Sequence, residues 1–244
     1  MNYFIFFPAD GGRVDSRELK IHIEELPDIQ KPPKRVTKIT VPGRSGTLTV
    51  EEGKYIYDAY QKTFEMVALD EKKIPEISEL LDGSGKIIFS NEPQFRYTVS
   101  FDEGWSFSRF FKKWRRATIS LETQPFKENV REKINRLESE NGSVSATING
   151  RTGIPCPFIV DLKAAAGAEN VTVTVGEQTL EIQTKGKTNI QINGELELIT
   201  ADDGTNLLTG TAYNTFPLTF KPKENAVKIT NATEAIFYHR GLYL

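Results

Sequence analysis

The sequence predicts a mainly β protein in two domains: an N-terminal β-barrel-like or sandwich domain with one short α-helix, then a C-terminal β-sandwich. Three observations predict it. Alternating apolar and polar runs recur through the chain. Only one stretch, Ile74 to Leu81, shifts to helical spacing. The second half consists almost wholly of short alternating runs divided by turn residues. A length of 244 residues suits two domains of ordinary size. Apolar and charged fractions of 38% and 26% are those of an ordered globular chain.

In the first half, Tyr3-Phe4-Ile5-Phe6-Phe7 reads as an opening strand; it is too short for a signal-peptide core and no basic flank precedes it. Lys20 to Glu24 alternates, and Leu26 to Pro33 is a proline-broken loop. Arg35 to Val41 and Thr47 to Val50 are strands joined by the glycine turn Pro42-Gly43-Arg44-Ser45-Gly46. Phe64 to Leu69 follows. Ile74, Ile77, Leu80 and Leu81 then define a helix, with Pro75 in the first turn, where a missing N–H costs nothing, and Gly83 as a left-handed stop. Lys86 to Phe89, Tyr97 to Phe101 and Thr118 to Leu121 complete the first domain. Open β edges are expected near Phe4 to Phe7 and Lys86 to Phe89.

Gln124 to Glu140 is charged and reads as a connecting segment carrying the domain boundary; Val130, Ile134 and Leu137 could alternatively line a short helix. The domains are accordingly placed at 1–130 and 131–244. In the second, Val171 to Val175 alternates cleanly. Ile190 to Leu198 reads as a hairpin with a two-residue Asn193-Gly194 turn, since both residues tolerate positive φ. Ala226 to Thr230 and Ala235 to Tyr238 are further strands.

Little of the sequence points to catalysis. A net charge of −2 argues against a dedicated nucleic-acid binder. The single cysteine, Cys156, excludes a disulfide within the chain and reads as a small buried residue at a strand start. His22 and His239, the only histidines, lack visible partners and read as ordinary surface or interface residues. Glu195 and Glu197 are expected on the outer face of the hairpin, and Asp202-Asp203-Gly204 as a plain turn without the periodic acidic ligands of a calcium loop. Trp105 to Arg116 interleaves aromatic and basic residues. Its rings can be core residues of one strand, a subunit interface, or a platform for single-stranded nucleic acid.

The ordered set of motifs resembles the siphophage distal tail protein family. It comprises Asp15-Ser16-Arg17-Glu18-Leu19, Ile21 to Pro27, the loop Gln30 to Arg35, the turn Val41 to Leu48, the helix, Gly85-Lys86-Ile87-Ile88-Phe89-Ser90, and Thr118 to Leu121 before Pro125-Phe126. Asn149-Gly150-Arg151-Thr152 ahead of Pro157 to Val160 is similar to the start of that family's second domain. Lys20 departs from the pattern, standing where a glycine is expected. The resemblance implies a non-enzymatic virion protein of the tail tip, without cofactor or metal, assembled in the host cytoplasm. Its 1–130 domain would be a ring-forming belt, joining copies into a hexamer between the tail tube protein and the tail-associated tip protein. Its 131–244 domain would be galectin-like or carbohydrate-module-like, with receptor-binding or baseplate proteins as further partners and no stable nucleic-acid or membrane binding. Arg44, Trp105, Phe107 and Trp114 are the candidate interface residues. The alternative reading is a carbohydrate-binding adhesin module.

Overall fold

The computed structural model describes residues 1–139 and 142–244. It divides into two compact units, Met1–Val130 with Leu244, and Arg131–Tyr243. The fold is mainly β.

Unit 1 contains β1 (Phe4–Pro8), β2 (Val14–Asp15), β3 (Ile21–Glu25), β4 (Val36–Thr40), β5 (Thr47–Glu51), β6 (Tyr60–Ala68), α1 (Ile74–Leu80), β7 (Gly83–Phe89), β8 (Phe95–Phe101), β9 (Ser108–Phe111) and β10 (Trp114–Asn129). The main antiparallel sheet runs β2-β1-β7-β8-β10-β6-β3. Its first and last strands are consecutive in sequence, joined only by residues 16–20, and the Ile21 N–H donates to the Ser16 carbonyl at 2.9 Å. A connection so short obliges the sheet to curl round a barrel-like interior. Rings from separated strands meet there: Phe4 with Phe64 at 5.4 Å, Phe6 with Phe101 at 5.0 Å and Phe64 with Phe89 at 5.8 Å between centroids.

The connecting turn is held by the Asp15-Ser16-Arg17 motif. Asp15 Oδ1 accepts the Arg17 N–H, and Ser16 Oγ accepts the Phe4 N–H. Lys20 adopts φ +55°, which explains why a glycine suits that place. Helix α1 begins with Pro75 in its first turn and buries Ile77, and Gly83 follows it at φ +66°. Gly85 is required by close approach: a Cβ there would meet the Phe7 carbonyl oxygen at 2.3 Å.

β1 and β7 lie inside the strand order and are not the free edges expected near Phe4 to Phe7 and Lys86 to Phe89. β1 pairs with β2 and β7, and β7 with β1 and β8. The strands at the ends of the path are β2 and β3, and β4 and β5 form a separate two-stranded ribbon.

Unit 2 contains β11 (Lys133–Glu138), β12 (Ser143–Asn149), β13 (Cys156–Ala164), β14 (Asn170–Val175), β15 (Gln178–Gln183), β16 (Asn189–Asn193), β17 (Leu198–Ala201), β18 (Ala212–Tyr213), β19 (Thr219–Phe220), β20 (Glu224–Thr230) and β21 (Ala232–His239). One sheet runs β11-β21-β13-β16-β17 with β19 on β13; the other runs β12-β20-β14-β15-β18. Their inward side chains, among them Phe158, Val160, Phe237, Val173, Ile182 and Ile229, form one core. This is the sandwich predicted from alternation.

Four local expectations are corrected. The charged segment 124–140 is neither linker nor helix. Its first part completes β10, and Lys133–Glu138 is the edge strand β11, paired with β21 from Lys133↔His239 to Glu138↔Glu234; Glu140 lies outside the described residues. An edge strand with one solvent face tolerates this density of charge. The Asn193-Gly194 pair is not a two-residue turn: Asn193 pairs with Leu198 across residues 194–197, and the left-handed residue is Glu197, φ +55°. Gly194 is instead needed because its Cβ would lie 2.9 Å from the Phe158 carbonyl oxygen. Glu195 and Glu197 therefore lie in a loop, not on a strand face. His239 is buried rather than superficial, edge-on to Phe220 at 5.0 Å, and burial helped by Lys133 and Arg151 lowers its pKa to about 4.

Candidate assembly surfaces

The β4–β5 ribbon carries the turn that bears Arg44. Registers Ile39↔Leu48 and Thr37↔Val50 place Ile39, Leu48 and Val50 on one face, with Val41 continuing it towards the turn. All four are exposed, Ile39 at 44% and Leu48 at 41%. Lys38, Thr40, Thr47 and Thr49 occupy the opposite face. The turn is set by Gly43 (φ +78°) and Gly46 (φ +81°), and the Arg44 N–H donates to the Val41 carbonyl at 3.2 Å. Arg44 itself is exposed.

At its base the ribbon is fastened by polar contacts. Lys34 pairs with Glu51, and Arg35 Nε donates to Asp58 at 2.6 Å. A two-stranded ribbon with no second layer cannot bury an apolar face by itself and is marginal in water. This face is complete as a surface and incomplete as a core.

The second surface is the β9–β10 hairpin. Lys112, at φ +43°, makes its turn. Phe110, Phe111 and Trp114 are exposed, Phe111 at 54% and Trp114 at 41%. Phe111 and Trp114 meet edge to face at 5.7 Å, and the Arg116 guanidinium lies 4.1 Å from the centre of the Phe110 ring. Arg116 also pairs with Glu24 at 2.7 Å, and Arg115 with Glu71. Two of the arginines are thus engaged with carboxylates inside unit 1. The reading of this stretch as a core strand does not hold for Phe110, Phe111 and Trp114. Trp105 and Phe107 are not strand residues either: they lie half-buried ahead of β9, contact each other at 5.1 Å and pack against the unit 1 core. Of the four candidate interface residues, Arg44 and Trp114 occur at the ends of exposed hairpins and the other two support a hairpin base.

A buried polar cluster in unit 1 escaped the sequence reading. Lys62, on β6, is fully enclosed; its Nζ donates to the Asp28 carbonyl at 2.6 Å and lies 4.7 Å from the Tyr97 ring centre. Burial lowers its pKa, against the pull of Glu92. Glu92 accepts from Lys127 at 2.6 Å and from the Tyr97 hydroxyl. Asn91 Nδ2 donates to the Pro27 carbonyl at 3.0 Å. The cluster anchors the proline-broken loop, with Glu92 paired to Lys127 and Lys62 bonded to a backbone carbonyl, so its work is structural. A lysine alternating with Phe64 and Met66 on one strand face was the only available signal.

Cys156 is fully buried at the start of β13, and burial raises its thiol pKa. Asp202-Asp203-Gly204 is a turn, with Gly204 at φ +82° and Asp203 paired to Lys187 at 2.6 Å. Among the described residues, no group of three or more His, Cys, Asp or Glu side chains is placed to hold a metal ion.

No protein-family model and no curated protein sequence matches the chain. Solved structures do. The crystal structure of the Dit protein (gp 19.1) of SPP1, described as a paradigm of the hub adsorption apparatus in phages infecting Gram-positive bacteria, is similar over 100% of both chains. Its TM-score is 0.78 at 14% identity. A structure of the phage P2 baseplate in its activated, calcium-containing conformation is similar over 99% of this chain and 98% of that one, with TM-score 0.58 and 11% identity. At such identities the likeness is one of fold, and it extends over the full length of this chain.

Proposed function

We propose that this protein is a structural component of a phage tail tip, forming the hub that joins the tail tube to the tip or baseplate. The supporting observation is the fold likeness to a hub protein over the full length of both chains, rather than over one common sandwich. In this reading residues 1–130 join copies of the chain into a hexameric ring, between the tail tube protein and the tail-associated tip protein. Residues 131–244 form the outward domain to which receptor-binding or baseplate components attach.

The chemistry of unit 1 suits such a ring. A ring closes through heterologous contacts, in which one patch meets a different patch on the next copy. The apolar face of β4–β5 and the aromatic end of β9–β10 are two different exposed patches on the same unit. Arg44, exposed on its turn, would reach a carboxylate of a neighbour. Trp114 offers a large ring of the kind that anchors interfaces, and Trp105 and Phe107 brace its hairpin.

Electron microscopy and solution mass of the purified protein over a concentration series test the proposal. Sixfold rings are the expected particles, and Arg44→Glu or Trp114→Ala is expected to lower the assembled fraction while leaving the fold intact. An oligomer of unchanged mass and stability in both variants removes these residues from the contact.

A further inference from the structure

We infer that β12 is a pairing edge for a second copy of this chain, the two β12 strands lying antiparallel across a two-fold axis at Ala146. This goes beyond the hub reading and does not depend on it. An open sheet edge is a template for another strand, and globular proteins blunt such edges with charge, brevity or a covering segment. The other ends of the unit 2 sheets are blunted in those ways. β11 carries Lys133, Arg136 and Glu138. β17 is covered by residues 205–207: the Leu207 N–H donates to the Ile199 carbonyl at 2.8 Å, and the Ala201 N–H to the Thr205 carbonyl at 2.9 Å. β18 has only two residues. β12 has none of these devices. Its seven residues contain no charge and no proline. Its register with β20 runs unbroken from Ser143↔Thr230 to Asn149↔Glu224. Among the described residues β20 is its only strand partner.

The phase of the β12–β20 ladder identifies the open groups. Just beyond its two ends, the Gly150 N–H donates to the Lys223 carbonyl at 2.8 Å and the Asn231 N–H to the Gly142 carbonyl at 3.1 Å. Bonded and non-bonded residue pairs alternate along an antiparallel ladder. Val144, Ala146 and Ile148 therefore bond to β20, while Ser143, Ser145, Thr147 and Asn149 direct their N–H and C=O groups away from it, to the open edge.

This edge is complementary to itself. With Ala146 opposite Ala146 of a second copy, Ser145 faces Thr147, Ser143 faces Asn149 and Val144 faces Ile148. Every bonded pair then joins open groups to open groups. Opposed residues share one face of a sheet. Val144 and Ile148 both belong to the core, so the apolar interior continues from one copy to the next, and the exposed Ser145, Thr147 and Asn149 stay on the solvent face. No like charges are opposed. Ala146 on the axis is small enough for the approach of about 4.5 Å between Cα atoms in a non-bonded pair. A slip of one residue would set open groups against bonded ones and turn apolar side chains to the wrong face. One strand pair buries less than the roughly 1,600 Å² of a standard interface, so the association is weak and concentration-dependent. It carries no charge, so salt should not loosen it. Its two-fold symmetry separates it from the heterologous contacts that close a ring.

Amide hydrogen exchange of the full chain over a concentration series, read beside sedimentation velocity, is the test. The Ser145 and Thr147 amides are expected to exchange readily in dilute solution and about tenfold or more slowly in concentrated solution, with no change on adding salt. Thr147→Pro is expected to abolish the slowing at Ser145. Proline there removes only an N–H that points away from β20, and an edge strand accepts it, so the urea midpoint should hold. If Thr147→Pro fails to fold, Ser145→Lys carries the test, because a lysine blunts the edge without touching the β20 ladder. Exchange at Ser145 and Thr147 that is the same at every concentration, slowing that persists in a folded variant, or slowing that salt reverses would overturn the inference. Sixfold particles are expected to persist in Thr147→Pro, so the two proposals fail separately.

Discussion

Replacing Ile39 and Leu48 together by threonine should weaken self-association while leaving the isolated subunit as stable as before. The two residues face each other across the β4–β5 ribbon, 44% and 41% exposed. Full burial of such a side chain contributes about 2 kcal/mol, so the roughly two fifths still open contributes about 0.8 kcal/mol in each. Threonine has the β-branched shape favoured in strands, and the ribbon should persist. The pair should then cost about 1.5 kcal/mol at each subunit contact, or about tenfold in its dissociation constant. In a closed ring every copy makes that contact on both sides, and the losses compound. Sedimentation velocity over a concentration series measures the shift, and the urea midpoint of the same samples should change by less than about 0.5 kcal/mol. Two results refute the reasoning. Unchanged association in a folded variant would mean that the apolar face is no contact. A lower urea midpoint with association intact would mean that the face packs within its own subunit.

Lys20→Gly should raise the stability of unit 1 by about 0.5–1 kcal/mol, because a left-handed conformation costs a side-chain-bearing residue about 1–2 kcal/mol and glycine's greater chain entropy offsets part of the gain; a lower thermal midpoint would refute it. Asp15 titrates at about 2, below the ordinary 3.8, held first by the hydrogen bond from the Arg17 side chain, then by the Arg17 N–H and the charge of Arg13. Its folded pKa lies below its unfolded one, so its stabilisation is present above about pH 4 and lost as pH falls through about 2. Asp15→Asn should therefore be less stable at neutral pH, with its urea midpoint converging on that of the unsubstituted protein below about pH 2; a gap independent of pH would exclude the charge contribution.

The features legible in the sequence were those that act locally. Val171 to Val175 and Lys20 to Glu24 declare a buried face by alternation alone, and Ile74, Ile77, Leu80 and Leu81 declare a helix bounded by Pro75 and Gly83. Features set by distant partners were not legible. Lys133–Glu138 is a strand only because β21 lies beside it. Gly194 is needed by the Phe158 carbonyl, thirty-six residues earlier in the chain, and not by a local turn. Exposure was the hardest to read: Phe110, Phe111 and Trp114 have the composition of a core strand, and only the absence of a second layer over their hairpin leaves them in solvent. For the same reason Arg44 and Trp114 could be singled out from sequence, but not distinguished in kind from Trp105 and Phe107.

That division separates the residues that build the scaffold from those available for assembly. The Asp15-Ser16-Arg17 turn, Gly83 and Gly85 are each tied to a specific backbone demand: a turned connection, a left-handed φ, a carbonyl at 2.3 Å from a would-be Cβ. Such demands restrict residue type whatever the protein does, so they mark the fold. The apolar face of β4–β5 answers no internal demand. Ile39, Val41, Leu48 and Val50 contribute little to a ribbon that cannot cover them, and as open apolar edge strands they invite non-specific pairing. Polar residues would serve a free-standing subunit better on both counts. Apolar residues on that face gain a role once another surface covers it, and under the proposed ring that surface is the different exposed aromatic patch on β9–β10 of a second copy of the chain.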